Sequence, residues 1–119
     1  MATRESDGNM DHKQVARLIG SLEAEVNNGG FDQFFYNSTG DNTVETIQAL
    51  EAIGAVTMAD ILRRAAAKFP GGMPPKDRLA RQEILLQISP NAEAFEDLDG
   101  EFYGYPDNLA ELLTGYNSF

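Results

Sequence analysis

The side chains able to do chemistry in this chain are almost all carboxylates. It holds 19 Asp and Glu against 9 Lys and Arg, with one histidine and no cysteine. The lack of thiols removes cysteine nucleophiles, a Cys-ligated zinc site and any disulfide framework. The single histidine, His12, sits beside the polar N-terminal stretch, so Ser and Thr hydroxyls have no usual base to activate them. Gly71-Gly72 runs into Met73-Pro74-Pro75 rather than into a Lys-Ser or Lys-Thr that opens a helix, so it is no phosphate cradle. Asp97, Asp99 and Glu101 alternate like the start of a calcium loop, but the later Gly and closing Glu are missing. Acid–base work by paired carboxylates is what remains. Glu23, Glu25, Asp32, Asp41 and Glu45 are its candidates, because they flank the densest motif of the chain. No metal and no cofactor are expected, and an enzyme is not the favoured reading.

Formal net charge is −10 and the pI about 4.3. After Arg81 there is no Lys, Arg or His, while Glu83, Glu93, Glu96, Asp97, Asp99, Glu101, Asp107 and Glu111 follow. Direct nucleic-acid binding is disfavoured, because neutralising phosphates needs a basic surface. A basic protein, including one that itself binds DNA, is the natural partner. Charge kept only for solubility is the plain alternative.

These groups need elements to hold them. Residues 1–10 are polar and are expected to form a disordered tail, with residues 11–119 a single all-α domain of six or seven short helices. Asp11 can cap a first helix in which Val15, Leu18, Ile19, Leu22 and Val26 form one stripe, stopped by Asn28-Gly29-Gly30. Phe31, Phe34 and Phe35 suit a short helical turn, and residues 38–41 read as a loop. Asn42 with Glu45 has capping-box spacing ahead of a helix carrying Val44, Ile47, Leu50 and Ile53, and Thr57 with Asp60 opens the next in the same way.

Pro70 to Pro75 breaks the chain, and Asp77 to Ile88 forms a helix with apolar residues nearly all round. A strand over Ile84 to Ile88 is the alternative there. Phe95, Leu98, Phe102 and Tyr105 mark another helix. Pro106 and Asp107 start the last, with Leu109, Leu112, Leu113 and Tyr116 inward. No apolar run nears the roughly 20 residues of a membrane span and no signal peptide is visible, so a cytoplasmic location is expected.

On this frame Glu93, Glu96 and Asp97 fall opposite the apolar stripe of Phe95, Leu98 and Phe102. Glu101 flanks it, and Asp107 with Glu111 extends the patch from the last helix. Asp99 flanks it as well, with backbone bonding near a helix end as its other use. The aromatic motif has two readings. Gly29 and Gly30 serve the turn and Phe31, Phe34 and Phe35 the core, or Gln33, Phe34, Tyr36 and Asn37 line a small pocket.

Asn28-Gly29-Gly30-Phe31-Asp32-Gln33-Phe34-Phe35-Tyr36-Asn37 is followed in order by Gly40-Asp41, Glu45-Thr46, Ala49-Leu50, Ile53-Gly54-Ala55 and Phe69-Pro70-Gly71-Gly72. After these come Pro75, Asp77-Arg78, Arg81, Phe95, Leu98-Asp99 and Phe102-Tyr103. Together these motifs resemble a bacterial family of helical domains whose best-described member is a dimeric DNA mimic. The resemblance spans roughly residues 15 to 116. It implies an all-helical fold, a homodimer, and a negative surface that occupies the DNA-binding face of a transcription factor. Duplex DNA offers one charge per roughly 1.7 Å of axis, and acids at i and i+4 on one helix only one per about 6 Å. Mimicry would therefore need acids pooled from several helices or from two subunits.

Three functions compete on these observations: an acidic protein-binding regulator of the DNA-mimic kind, an immunity-type inhibitor of a toxin enzyme, and a small-molecule binder or enzyme using a pocket near the aromatic motif.

Overall fold

The computed structural model describes residues 10–117, and every regular element among them is helical. The tail expected over residues 1–10 lies, apart from Met10, outside the described residues. The elements are α1 (His12–Tyr36), α2 (Thr43–Ala52), α3 (Val56–Ala66), α4 (Arg78–Ile88), α5 (Glu96–Tyr103) and α6 (Leu109–Asn117). Short 3-10 turns at Ser38–Asn42 and Pro70–Gly72 fill two of the links, so the stretch expected as a loop after Asn37 is a helical turn.

The first helix is the spine against which α2, α4, α5 and α6 pack. Asp11 caps it by accepting from the Gln14 amide at 2.8 Å. Its N-terminal half buries Val15, Leu18, Ile19, Leu22 and Val26. The expected stop at Gly29-Gly30 is a kink: the hydrogen-bonded helix continues to Tyr36, but Gly29 and Gly30 leave helical geometry. Gly30 has φ +75°, and a Cβ there would lie 2.5 Å from Asp99 Oδ2. The kink rotates the second half so that Phe31, Phe34 and Phe35 turn inward. They join Phe69, Phe95 and Phe102 in an aromatic core, with Phe35 edge-on to Phe69 at 4.9 Å and Phe31 edge-on to Phe102 at 5.8 Å.

Three expected helix starts are built differently. Asn42 makes no side-chain cap and Glu45 does not close a capping box. Instead Glu45 faces Lys76 at 3.4 Å, and the Thr43 and Thr46 hydroxyls donate to the Gly40 and Asn42 carbonyls. Thr57 does not cap α3 either. The Asp107 carboxylate crosses 49 positions of sequence to accept from the Met58 amide at 2.7 Å. The last helix is then capped by Asn108, which accepts from the Glu111 amide at 3.1 Å. Val44, expected on the core stripe, is exposed; Thr43, Thr46, Ile47, Ala49 and Leu50 carry that face. The fourth helix is helical throughout, with Asp77 as its cap, which removes the strand alternative.

Arg81 is the best-tied side chain in the molecule. Its guanidinium is fully buried and donates to the carbonyls of Phe35, Pro75, Lys76 and Asn37 and to Asp41 Oδ1, at 2.7–3.0 Å. One residue thereby locks the end of α1, the turn after it and the loop before α4 together. His12 packs edge-on against Tyr116 with centroids 4.9 Å apart, which joins the two ends of the described fold. No helix among the described residues is long and apolar enough to cross a membrane.

Candidate functional site

The six carboxylates expected to form a binding surface divide into two sets. The carboxylates of Glu93, Glu96 and Glu111 are exposed and form no hydrogen bond or ion pair among the described residues. Glu93 lies in the turn before α5, Glu96 opens α5, and Glu111 stands in the first turn of α6, where a negative charge suits the helix dipole.

The other three have partners. Glu101 takes a two-pronged bond from Arg64, at 2.7 and 3.0 Å, and the guanidinium holds its carboxyl below the ordinary range. The same Arg64 also bonds Asp60 at 2.9 Å. Asp97 lies 3.8 Å from Lys68, an open contact between exposed groups that contributes little. Asp107 is half-buried and bound to the Met58 amide, so it does not extend the patch alongside Glu111. Cations from α3 and the turn after it thus reach the stretch that has none of its own.

Asp99 belongs to the kink. Its Oδ1 accepts from the Phe31 amide at 2.8 Å, so a residue on α5 caps the second half of α1. Burial pushes its carboxyl above the ordinary value; the Phe31 bond opposes the shift, and Asp32, Glu96 and Asp97 add to it. Tyr103 donates to the Val26 carbonyl at 2.9 Å, and burial with Asp99 nearby raises its phenol. Tyr105 donates to Glu23 at 2.7 Å and accepts from Asn27.

The carboxylates flanking the aromatic motif turn to separate partners. Glu23 takes Tyr105. Glu25 accepts from Gln33 at 2.7 Å and from Asn37 at 2.9 Å. Asp41 takes Arg81, and Glu45 takes Lys76. The amide oxygen of Gln33 also accepts from Asn28. Gln33 and Asn37 therefore brace the kink, while Phe31, Phe34 and Phe35 are core. Among the described residues no group of three or more His, Asp or Glu could hold a metal.

Asp32 is the exception. It faces an open groove of about 410 Å³ lined by Gly29, Gln33 and Tyr36 of α1, Leu85 and Leu86 of α4, and residues 89–92 of the α4–α5 link. Burial raises its carboxyl above the ordinary value, with the Ser89 hydroxyl opposing the shift. Of the expected pocket residues Gln33 and Tyr36 line this groove, joined by Gly29 of the motif, while Phe34 and Asn37 do not. The sequence signal for its other wall was Leu86, one of the apolar residues spaced nearly all round α4, and it is 61% exposed. A smaller hollow of about 230 Å³ between Arg17, Phe34, Thr39 and Thr46 lies on the opposite side of the motif's last turn.

Comparison with curated proteins and with solved structures finds no match in either. The family model described as DMP19-like protein matches residues 10–117, which is nearly all of the 119-residue chain. The chain therefore belongs to the DMP19-like family, the DNA-mimic family that its motifs resemble.

Proposed function

We propose that this protein is a non-enzymatic regulator whose acidic face occupies the DNA-binding surface of a basic protein. The observation that carries the reading is the set of exposed carboxylates Glu93, Glu96 and Glu111, which form no ion pair among the described residues of a chain of net charge −10. Unpaired surface charge is available to a partner, whereas charge already matched within the fold is not. Membership in the DNA-mimic family supports the same conclusion. The principal extents of 47 × 29 × 20 Å are compatible with it, since the long axis exceeds one duplex turn of about 34–36 Å.

The separation of Glu23, Glu25, Asp41 and Glu45 among four different partners weighs against a catalytic carboxylate pair. A homodimer belongs to the same proposal. Leu79 is 71% exposed at the start of α4, a position a second subunit would cover, and sedimentation at micromolar concentration tests it.

The functional test is capture from cell lysate at low and at high salt, followed by identification of what binds. A basic DNA-binding protein recovered at low salt and lost at high salt is the expected result. Recovery of a toxin enzyme instead would favour the inhibitor reading. Recovery of no basic protein would overturn the proposal.

A further inference from the structure

The groove facing Asp32 has the wrong walls for a solvated surface. Leu86 is 61% exposed and Tyr36 50% exposed, and with the exposed Pro90 and Ala92 they leave apolar area uncovered above the buried Leu85. The backbone holds that shape at some cost: Ala92 has φ +57°, a left-handed conformation that a β-carbon disfavours. The Ser89 oxygen fixes the link by accepting from the Ala94 amide at 3.2 Å.

The electrostatics are one-sided. No Lys, Arg or His lines the groove. Among the described residues Asp32 has the Ser89 hydroxyl as its neighbour and no ion-pair partner, Asp99 lies within its electrostatic reach, and Glu96 and Asp97 add to the negative field around Asp99. A carboxylate drawn partly out of water beside apolar walls favours an occupant that supplies both a cation and apolar area. The link that walls the groove runs directly into Glu93 and then Glu96, so exposed acids follow the groove wall in the chain.

We propose that this groove is where a basic segment of a protein partner docks, with an apolar side chain seated on Leu86, Tyr36 and Ala92 and a neighbouring Lys or Arg paired with Asp32. The inference rests on the basic-partner reading and gives that partner an anchor which charge alone lacks. It separates this protein's recognition from pure charge imitation: a duplex presents phosphates, and it has no counterpart to a leucine beside a half-buried carboxylate. Apolar anchors at the centre of an interface with charges around them are the usual distribution of binding energy.

The test is an NMR titration of the isotopically labelled full chain with three probes: acetyl-Leu-Lys-Leu-Lys-amide, its Leu-Glu-Leu-Glu counterpart, and an all-lysine tetrapeptide. The expected result is that the Leu-Lys peptide shifts the amides of Asp32, Leu86 and Ala92. Asp32→Asn and Leu86→Gln should each weaken its binding at least fivefold, with helical circular dichroism unchanged, and the Leu-Glu peptide should not bind. Three outcomes would overturn the proposal: shifts confined to Glu93 and Glu96 with all lysine-bearing probes alike, equal affinity for the Asp32→Asn variant, or Leu86 shifts that follow protein concentration instead of peptide and so report a second copy. The capture experiment above, repeated with Asp32→Asn as bait, keeps the two readings distinct. Undiminished capture of a basic protein leaves the acidic face standing and removes the groove, while loss of all basic partners from the wild type removes the reading beneath both.

Discussion

The carboxylates before Arg81 and those after it sit in different surroundings. In the earlier part four acids pair with cations: Asp41 with Arg81, Glu45 with Lys76, Glu51 with Arg63, and Asp60 with Arg64. The later part has no Lys, Arg or His of its own, so its acids reach elements from before Arg81 or, among the described residues, form no ion pair. Glu101 borrows Arg64, Asp97 leans toward Lys68, and Asp99 and Asp107 take backbone amides of Phe31 and Met58. Among the described residues Glu83, Glu93, Glu96 and Glu111 are left over. The contrast separates carboxylates that build the fold from those free to meet a partner, although both kinds look alike in the sequence.

Substitutions can break that distinction in order of size. Arg81→Ala should be the most damaging, costing about 3–5 kcal/mol in urea unfolding, because it strands Asp41 and several carbonyls beside an emptied site. Arg81→Lys should recover only part of this, since an ammonium cannot reproduce the fork. Gly30→Ala should follow at about 2 kcal/mol, combining positive φ with the collision against Asp99. Asp107→Ala and Asp99→Ala should each cost about 1 kcal/mol through a lost cap, and Asp107→Ala should leave partner capture unchanged.

The smallest effect is one of pH. Burial raises the Asp32 carboxyl in the folded chain, so the folded state holds that proton more tightly than the unfolded state does. The Asp32 contribution is therefore absent below the ordinary value of 3.8 and turns unfavourable as pH rises through the window between that value and the raised one. Asp32→Asn should be the more stable protein at neutral pH, with an advantage that vanishes on acidification.

Much of the fold was legible because apolar spacing and short-range caps are local properties. Val15 to Val26 on one face, the Asp11 and Asp77 caps and the glycine break at residues 29–30 all follow from neighbours within a few positions. What escaped were partnerships closed only by the tertiary fold. Asn42 and Thr57 had the right types for capping, yet the α3 amides went to Asp107, from the far end of the chain. Arg81 could have been suspected, because it shares a face with Leu85, four positions on, where an arginine must be bonded if it is to be buried. The exposed set Glu93 and Glu96 followed from lying opposite Phe95, Leu98 and Phe102. The loss of Glu101 to Arg64 did not, since it depends on α3 packing beside α5. Asp32 was marked as a carboxylate near the motif, but the far wall of its groove comes from Leu85 to Ala92, nearly 60 residues away.

The most direct measurement compares two baits in low-salt capture: the wild-type chain and a variant carrying Glu93→Gln, Glu96→Gln and Glu111→Gln together. These carboxylates form no hydrogen bond or ion pair among the described residues, so the variant should unfold at nearly the same urea concentration. The account predicts that the wild type retains a basic DNA-binding protein, that duplex DNA competes it away, and that the variant loses at least tenfold of the capture. Equal recovery on both baits would contradict it.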